Sequence, residues 1–148
     1  MNLDSEFSFR SIGARLRWSF FFLIVMFGCQ VQAADIRKAD VIAVYFTADW
    51  CQPCKPFTAL LADVGNRFDG EPVLGIVFDY TNRSTREDAE MHASALALQP
   101  LWQHNSDQLG MLYLLDARTK KVLASITPDR DFDAVVNKVT AALENAGS

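Results

Sequence analysis

The 148-residue sequence predicts an α/β domain with a central mixed four-stranded sheet flanked by helices, in the order β-α-β-α-β-β-α. Three observations carry this reading. Short β-branched and aromatic runs alternate with stretches whose apolar residues recur at helical spacing. The first two runs are joined by such a helical stretch, and a right-handed crossover makes them parallel neighbours. The last two are joined only by Ala-Arg-Thr-Lys, which leaves room for an antiparallel hairpin and nothing longer.

Each element has its own signal. The run VIAVYFT, 41–47, is a buried strand. Phe57, Leu60, Leu61, Val64 and Phe68 form one helical face, so a helix is expected from about 51 to 68. A second strand covers 72–80. The loop that follows feeds a helix through Ser84 and Glu87, which have capping-box spacing; its residues Ala89, Met91, Ala93, Ala95 and Leu96 carry it to about 98. Residues 99–110 are polar and read as irregular. A third strand covers 111–116 and a fourth 121–127, where Pro128 stops it. Phe132, Val135, Val136, Val139 and Leu143 make the face of a last helix, capped by Asp129 or Asp131. No repeat, linker or second domain follows the N-terminal segment.

That segment reads as a targeting signal. Arg10, Arg15 and Arg17 precede an apolar core, Trp18 to Gly28, shorter than the roughly 20 apolar residues a bilayer span takes. Val31 and Ala33 then stand at the two positions a signal peptidase reads. The sequence thus divides into a signal peptide, 1–33, and one domain, 34–148, with cleavage after Ala33 or, as second choice, Ala34. The destination is periplasmic or secreted. The alternatives are an uncleaved membrane anchor and a lipidated Cys29 following Gly28.

Charge narrows the function. The chain carries a net charge of −4, and its basic runs, Arg37-Lys38 and Lys120-Lys121, are no longer than two residues. Nucleic acid binding needs clustered cations and is therefore excluded as a partner class. Residues 34–148 have a net charge of −5 and retain two cysteines, Cys51 and Cys54, within FTADWCQPCKPF. A metal, a structural staple or redox chemistry would each use such a pair. A staple over so small a loop removes little unfolded-state entropy. Zinc wants four ligands, and the chain adds only His92 and His104, without paired spacing. His92 reads as a surface helix residue. His104 and Trp102 read as loop residues, His104 within possible approach of the cysteines and Trp102 as a possible anchor. Glu87, Asp88, Asp131 and Asp133 sit at helix starts, where dipole and capping account for them.

The sextet Trp50-Cys51-Gln52-Pro53-Cys54-Lys55, set between a buried strand and a helix, resembles the active site of the thioredoxin superfamily. The similarity extends over about 41–143 and includes the element order. It implies a thioredoxin-like fold, catalytic Cys51 and Cys54, and supporting roles for Trp50, Gln52, Pro53 and Lys55. It implies no cofactor and no metal. Cys51 is expected at or just before the first helical turn, where unpaired N–H groups and the helix dipole favour the thiolate. Cys54, one turn on and more buried, resolves the mixed disulfide that Cys51 forms. Pro53 stiffens the turn. Trp50 either shields the sulfurs and meets partners or is a core aromatic; Lys55 is solvated.

Three departures from the family pattern stand out. Thioredoxins place a cis-proline before the third strand, against the sulfurs; here Leu109 or Gly110 takes that position, and the nearest proline is Pro100. Thioredoxins bury an aspartate six residues before the first cysteine, with a lysine partner on the next strand; here those places fall on Tyr45 and near Gly75. Pro56 comes early, so the helix is expected to start late or kink at the Gln52 carbonyl. These departures point to a specialised thiol–disulfide oxidoreductase with a narrow protein partner. Such a chain acts as a monomer on protein thiols or disulfides and draws electrons, if a reductant, from a membrane-bound redox partner. Two other readings stand beside it: a thioredoxin-fold binding or chaperone module with an inert disulfide, and a carrier of a soft ion such as Cu(I).

The targeting segment makes a direct prediction. N-terminal sequencing of exported protein will begin at Ala34 or Asp35. Retention of Met1, or a lipid on Cys29, would contradict it.

Overall fold

The computed structural model describes residues 38–105 and 107–146. The targeting segment, its cleavage point at Ala33 and Cys29 lie outside the described residues.

Strand β1 (Val41–Thr47) is central because its side chains are apolar on both sides: Val41, Ile42, Val44, Tyr45 and Phe46 are all at most 3% exposed. It pairs in parallel with β2 (Val73–Asp79), in the register Tyr45 opposite Val77, and antiparallel with β3 (Leu112–Asp116), Tyr45 opposite Leu112. Strand β4 (Val122–Ile126) adds antiparallel to β3, giving the order β2-β1-β3-β4. The mixed four-stranded sheet flanked by helices is the architecture the sequence predicts.

The pleat sends alternate β1 side chains to opposite faces. On one face Tyr45 meets Phe57 of α1 (Cys54–Arg67), and α1 packs against α4 (Phe132–Ala146). On the other, Phe46 is fully buried among the rings of Phe78, Tyr113, Tyr80 and Trp102, with centroids 5.4 to 6.4 Å away. Helix α2 (Arg83–Ala95) packs on β2 and against α3 (Gln99–Asn105). Each well-oriented aromatic pair contributes about 0.5–1.5 kcal/mol beyond its buried area, so Phe46 ties together β2, β3 and α3.

Helix α3 occupies part of the stretch expected to be irregular. Its signal is local: Pro100 falls in the first turn, where its missing N–H is not needed. Leu101 and Trp102 are buried, and the Asn105 side chain donates to the Leu101 carbonyl at 2.9 Å. Trp102 is therefore a core residue, stacked on Tyr80 at 4.8 Å, and not a loop anchor.

The ends of α2 also differ from expectation. Its N-cap is Asn82, whose side chain accepts the Thr85 N–H at 3.1 Å while Thr85 Oγ1 accepts the Asn82 N–H at 3.1 Å. Asn accepts as well as Ser, and it lies nearer the last β2 residue. Glu87 instead pairs with Arg83 at 2.7 Å. The helix ends at Ala95 because Ala97 takes a left-handed φ of 57°, with Leu98 N–H bonded to Ala93 O at 2.7 Å and Ala97 N–H to Ser94 O at 3.2 Å. This is a Schellman closure with alanine where glycine is usual. Met91 is 62% exposed; the buried face is Ala89 and Ala93.

In α4, Asp131 supplies the cap, its Oδ1 accepting the Ala134 N–H at 2.8 Å. In the β3–β4 turn, the Asp116 carboxylate accepts the Thr119 N–H at 2.7 Å, the Thr119 hydroxyl at 2.9 Å and the Arg118 N–H at 3.0 Å. The bonds from Thr119, then those from Arg118 and its charge, hold this carboxyl below the ordinary carboxylate range. A depressed folded pKa stabilises the fold above the unfolded value and loses that contribution as pH falls through the folded value. The stability advantage of wild type over Asp116→Asn will therefore shrink as pH is lowered from neutral through the carboxylate range. Urea unfolding at stepped pH checks this; an advantage that grows on acidification would contradict it.

Candidate functional site

The site forms where β1 ends. After Thr47 the chain turns, with Cys51 N–H bonded to Ala48 O at 3.0 Å and Cys54 N–H to Cys51 O at 3.2 Å. Cys51 and Cys54 are joined in a disulfide across this turn, with their Cα atoms 5.3 Å apart. Cys51 is 7% exposed and Cys54 is 1% exposed. Gln52, Pro53 and Lys55 are exposed around them.

Helix α1 begins at Cys54, with Pro53 as N-cap, three residues later than expected. Pro56 is thus its third residue, in the first turn, and the Gln52 carbonyl lies outside the helix, where no intrahelical bond is lost. This start has an electrostatic consequence. Pro53 and Pro56 have no N–H, and that of Cys54 turns back to the Cys51 carbonyl. The helix start therefore presents fewer amide donors to a Cys51 thiolate than an ordinary first turn would.

Trp50 is not a core aromatic. It is 61% exposed, and its indole N–H donates to the Thr81 carbonyl at 3.3 Å. The neighbouring Asp49 N–H donates to Thr81 Oγ1 at 2.9 Å. Thr81 is itself held by Asp79, whose Oδ1 accepts the Thr81 N–H at 2.7 Å and the Thr81 hydroxyl at 2.5 Å. The end of β2 thus fixes Trp50 beside the disulfide with its ring open to solvent.

The opposite wall is the segment entering β3. Gly110 N–H donates to Phe46 O at 2.8 Å, and Phe46 N–H to Met111 O at 3.2 Å, so β1 continues pairing up to the site. Gly110 has φ +85°, and a Cβ there would lie 3.6 Å from Cys54 Sγ and 3.3 Å from Pro128 Cγ. Leu109 packs partly buried against the core. Below the site, the Tyr45 hydroxyl donates to Cys54 O at 3.1 Å and lies 3.2 Å from Thr58 Oγ1, which also donates to Cys54 O at 2.9 Å. Tyr45 and Thr58 form the near end of an open apolar groove of about 470 Å³ that runs under α1 to Phe68 and the β2 residues Val73 and Val77.

The fold of this chain occurs in solved structures. The chain is similar to a thiol:disulfide interchange protein of the thioredoxin family from Chlorobium tepidum, at 17% identity over 75% of this chain and 84% of that one, with a TM-score of 0.53. This is the thioredoxin fold. Similarity also extends to a putative thiol:disulfide interchange protein DsbE from Chlorobium tepidum, at 19% identity over 76% and 86% of the two chains, TM-score 0.51. A mutant tryparedoxin-I is similar at 18% identity over 74% and 81%, TM-score 0.52. No protein-family model matches the sequence, and no curated protein matches it.

Within the thioredoxin fold, Cys51–Cys54 sit as a C-x-x-C pair. Among the described residues there is no cis peptide bond and no group of three His, Cys, Asp or Glu side chains placed to hold a metal. His92 is exposed on α2; His104 is on α3, with Nδ1 2.7 Å from the Pro100 carbonyl. Thr58, Asp79, Thr81 and Pro128 join the site without being expected from the sequence; of these only Pro128 has a sequence signal, and that signal is accounted for by the end of β4.

The Gly110 geometry separates two substitutions. Gly110→Pro must abandon φ +85°, breaks the bond to Phe46 and drives a ring at Pro128, so it will destabilise the fold by roughly 3 kcal/mol or more. Gly110→Ala will lose about 1–2 kcal/mol from left-handed backbone strain alone. Leu109→Pro will be the better tolerated proline. Denaturant unfolding of the three variants gives the order; a Gly110→Pro protein as stable as wild type would contradict it.

Proposed function

We propose that this chain is an exported thiol–disulfide oxidoreductase using Cys51 and Cys54 as its redox couple. The observation that carries the proposal is the disulfide across the turn opening α1, with Cys51 the more exposed of the two residues. In the reductive direction the Cys51 thiolate attacks one sulfur of a partner disulfide. A Cys51–partner disulfide forms and the other partner sulfur leaves as thiolate. The Cys54 thiolate then attacks Cys51, the second partner sulfur leaves, and the Cys51–Cys54 disulfide is restored. The partner gains two electrons and two protons; the chain loses the same. The oxidative direction is the reverse.

The signal-like segment 1–33 supports export to the periplasm or medium, with 34–148 as the working domain. No described helix is long and apolar enough to cross a membrane. The left-handed Gly110 at the wall beside Cys54 gives a different docking edge from a proline there, and this supports a narrow protein partner for a chain acting as a monomer. A membrane-bound donor would supply electrons to a reductant outside the cytoplasm. The second reading, a binding module with an inert disulfide, draws on the low exposure of both cysteines.

Trapping separates the two. Cys54→Ser will accumulate a mixed disulfide through Cys51 with a model disulfide, and Cys51→Ser will not. Wild type supplied with dithiol will reduce insulin slowly. Rapid insulin turnover would remove the narrow-partner reading. Absence of any mixed disulfide, with Cys51→Ser retaining all biological function, would establish the inert module instead.

A further inference from the structure

Cys54 is almost fully buried, although it lies in the first turn of a helix that opens at the surface. Gly110, which has no side chain, lies next to its sulfur: a Cβ there would come within 3.6 Å of Cys54 Sγ. The same Cβ would meet the Pro128 ring at 3.3 Å to Cγ and 3.6 Å to Cβ, so Cys54 Sγ and Pro128 both border the same space. Gly110 cannot readily supply its own cover, because φ +85° disfavours any side chain there. The roof over this gap therefore comes from a different loop, the one between β4 and α4.

That loop is built to hold the ring still. Arg130 N–H donates to the Thr127 carbonyl at 3.3 Å, closing a four-residue turn with Pro128 at its second position, where the fixed φ of proline suits the turn. The Thr127 hydroxyl bonds the Asp129 carboxylate, and that bond, followed by Asp129's own backbone N–H and the Arg130 charge, holds this carboxyl below its ordinary range. The following residue, Asp131, caps α4. Pro128 is thus pinned between the last core residue of β4, Ile126, and the start of α4.

We propose that Pro128 is a positioning residue for thiol–disulfide exchange: with Gly110 it screens Cys54 from external disulfides, so that Cys51 alone meets the partner and Cys54 reacts only with the mixed disulfide. The inference rests on the exchange function proposed above, but its test reads the shielding itself. A screen of this kind favours productive order, because a partner joined to Cys54 would leave Cys51 to act as resolving group from the exposed side.

The test is alkylation of the reduced protein followed by mass mapping, with Cys54 rates read in a Cys51→Ser background. In wild type, Cys54 will react at least ~10-fold more slowly than Cys51. Pro128→Ala, which removes the outer ring atoms, will raise the Cys54 rate by roughly 5-fold and leave that of Cys51 unchanged. Pro128→Val, which keeps bulk at the same place, will stay close to wild type. A folded Pro128→Ala protein with an unchanged Cys54 rate would overturn the proposal, as would equal acceleration by alanine and valine. Should neither variant unfold cooperatively, wild type still decides: enlarging the alkylating reagent must slow Cys54 more than Cys51, and equal slowing overturns the screen. A Pro128 effect in a protein that exchanges with no disulfide would retain the screen and remove the function; exchange without the effect would do the opposite.

Discussion

The site depends on the backbone pairing that continues past the end of β1. Phe46 bonds Gly110 through its carbonyl and Met111 through its N–H, and these two bonds carry the segment before β3 to the disulfide. Phe46 can do this because its side chain is locked on the opposite side of the strand among four aromatic rings. One residue therefore couples the core to the site: the ring fixes β1 in depth, and its peptide groups set the distance between Gly110 and Cys54. A slip of one residue in this pairing would turn Tyr45 and Phe46 to each other's faces and break both walls at once.

The surroundings of the two sulfurs are not alike, and the difference has a chemical meaning. Cys51 lies on the turn between exposed Trp50 and exposed Gln52, with Trp50 held by Thr81 and Asp79. Cys54 is enclosed by Gly110 above and has its carbonyl held by Tyr45 and Thr58 below. Where the thioredoxin pattern has a buried aspartate, this chain has a phenol that donates to the backbone of Cys54. Its strand partner, Val77, is 61% exposed and carries no charge. A phenol here stabilises the first turn of α1 without placing a buried carboxylate near the thiols, which removes both the desolvation cost of such an acid and the proton acceptor it would supply.

Much of this was legible from residue order. The β-branched runs located all four strands to within a residue or two, because each is bounded by a turn or a proline and buried on at least one face. The cysteine pair stood out because tryptophan, proline and lysine surround it at fixed spacing. The rest lacks a signal long enough to read. Helix α3 is two turns long, and its apolar spacing is confined to Leu98, Leu101 and Trp102, a run too short to distinguish a helix from a loop. Asn82, not Ser84, caps α2, because it stands where the chain leaves β2. Ala97 closes α2 in a left-handed conformation that alanine does not advertise. The part played by Pro128 depends on a meeting of β4 and Gly110 that is nonlocal, and its local effect of ending a strand was sufficient to explain it.

The central claim is that Cys51 and Cys54 form a reversible redox couple in a fold that stands in both states. The most direct measurement is equilibration of the protein in dithiol–disulfide buffers of stepped potential, with the thiol state read by quenched alkylation and the fold by cooperative unfolding of each end state. The account predicts a single two-electron transition, reached from either direction, with a folded protein on both sides. A disulfide that yields to reductant only under denaturing conditions would contradict it.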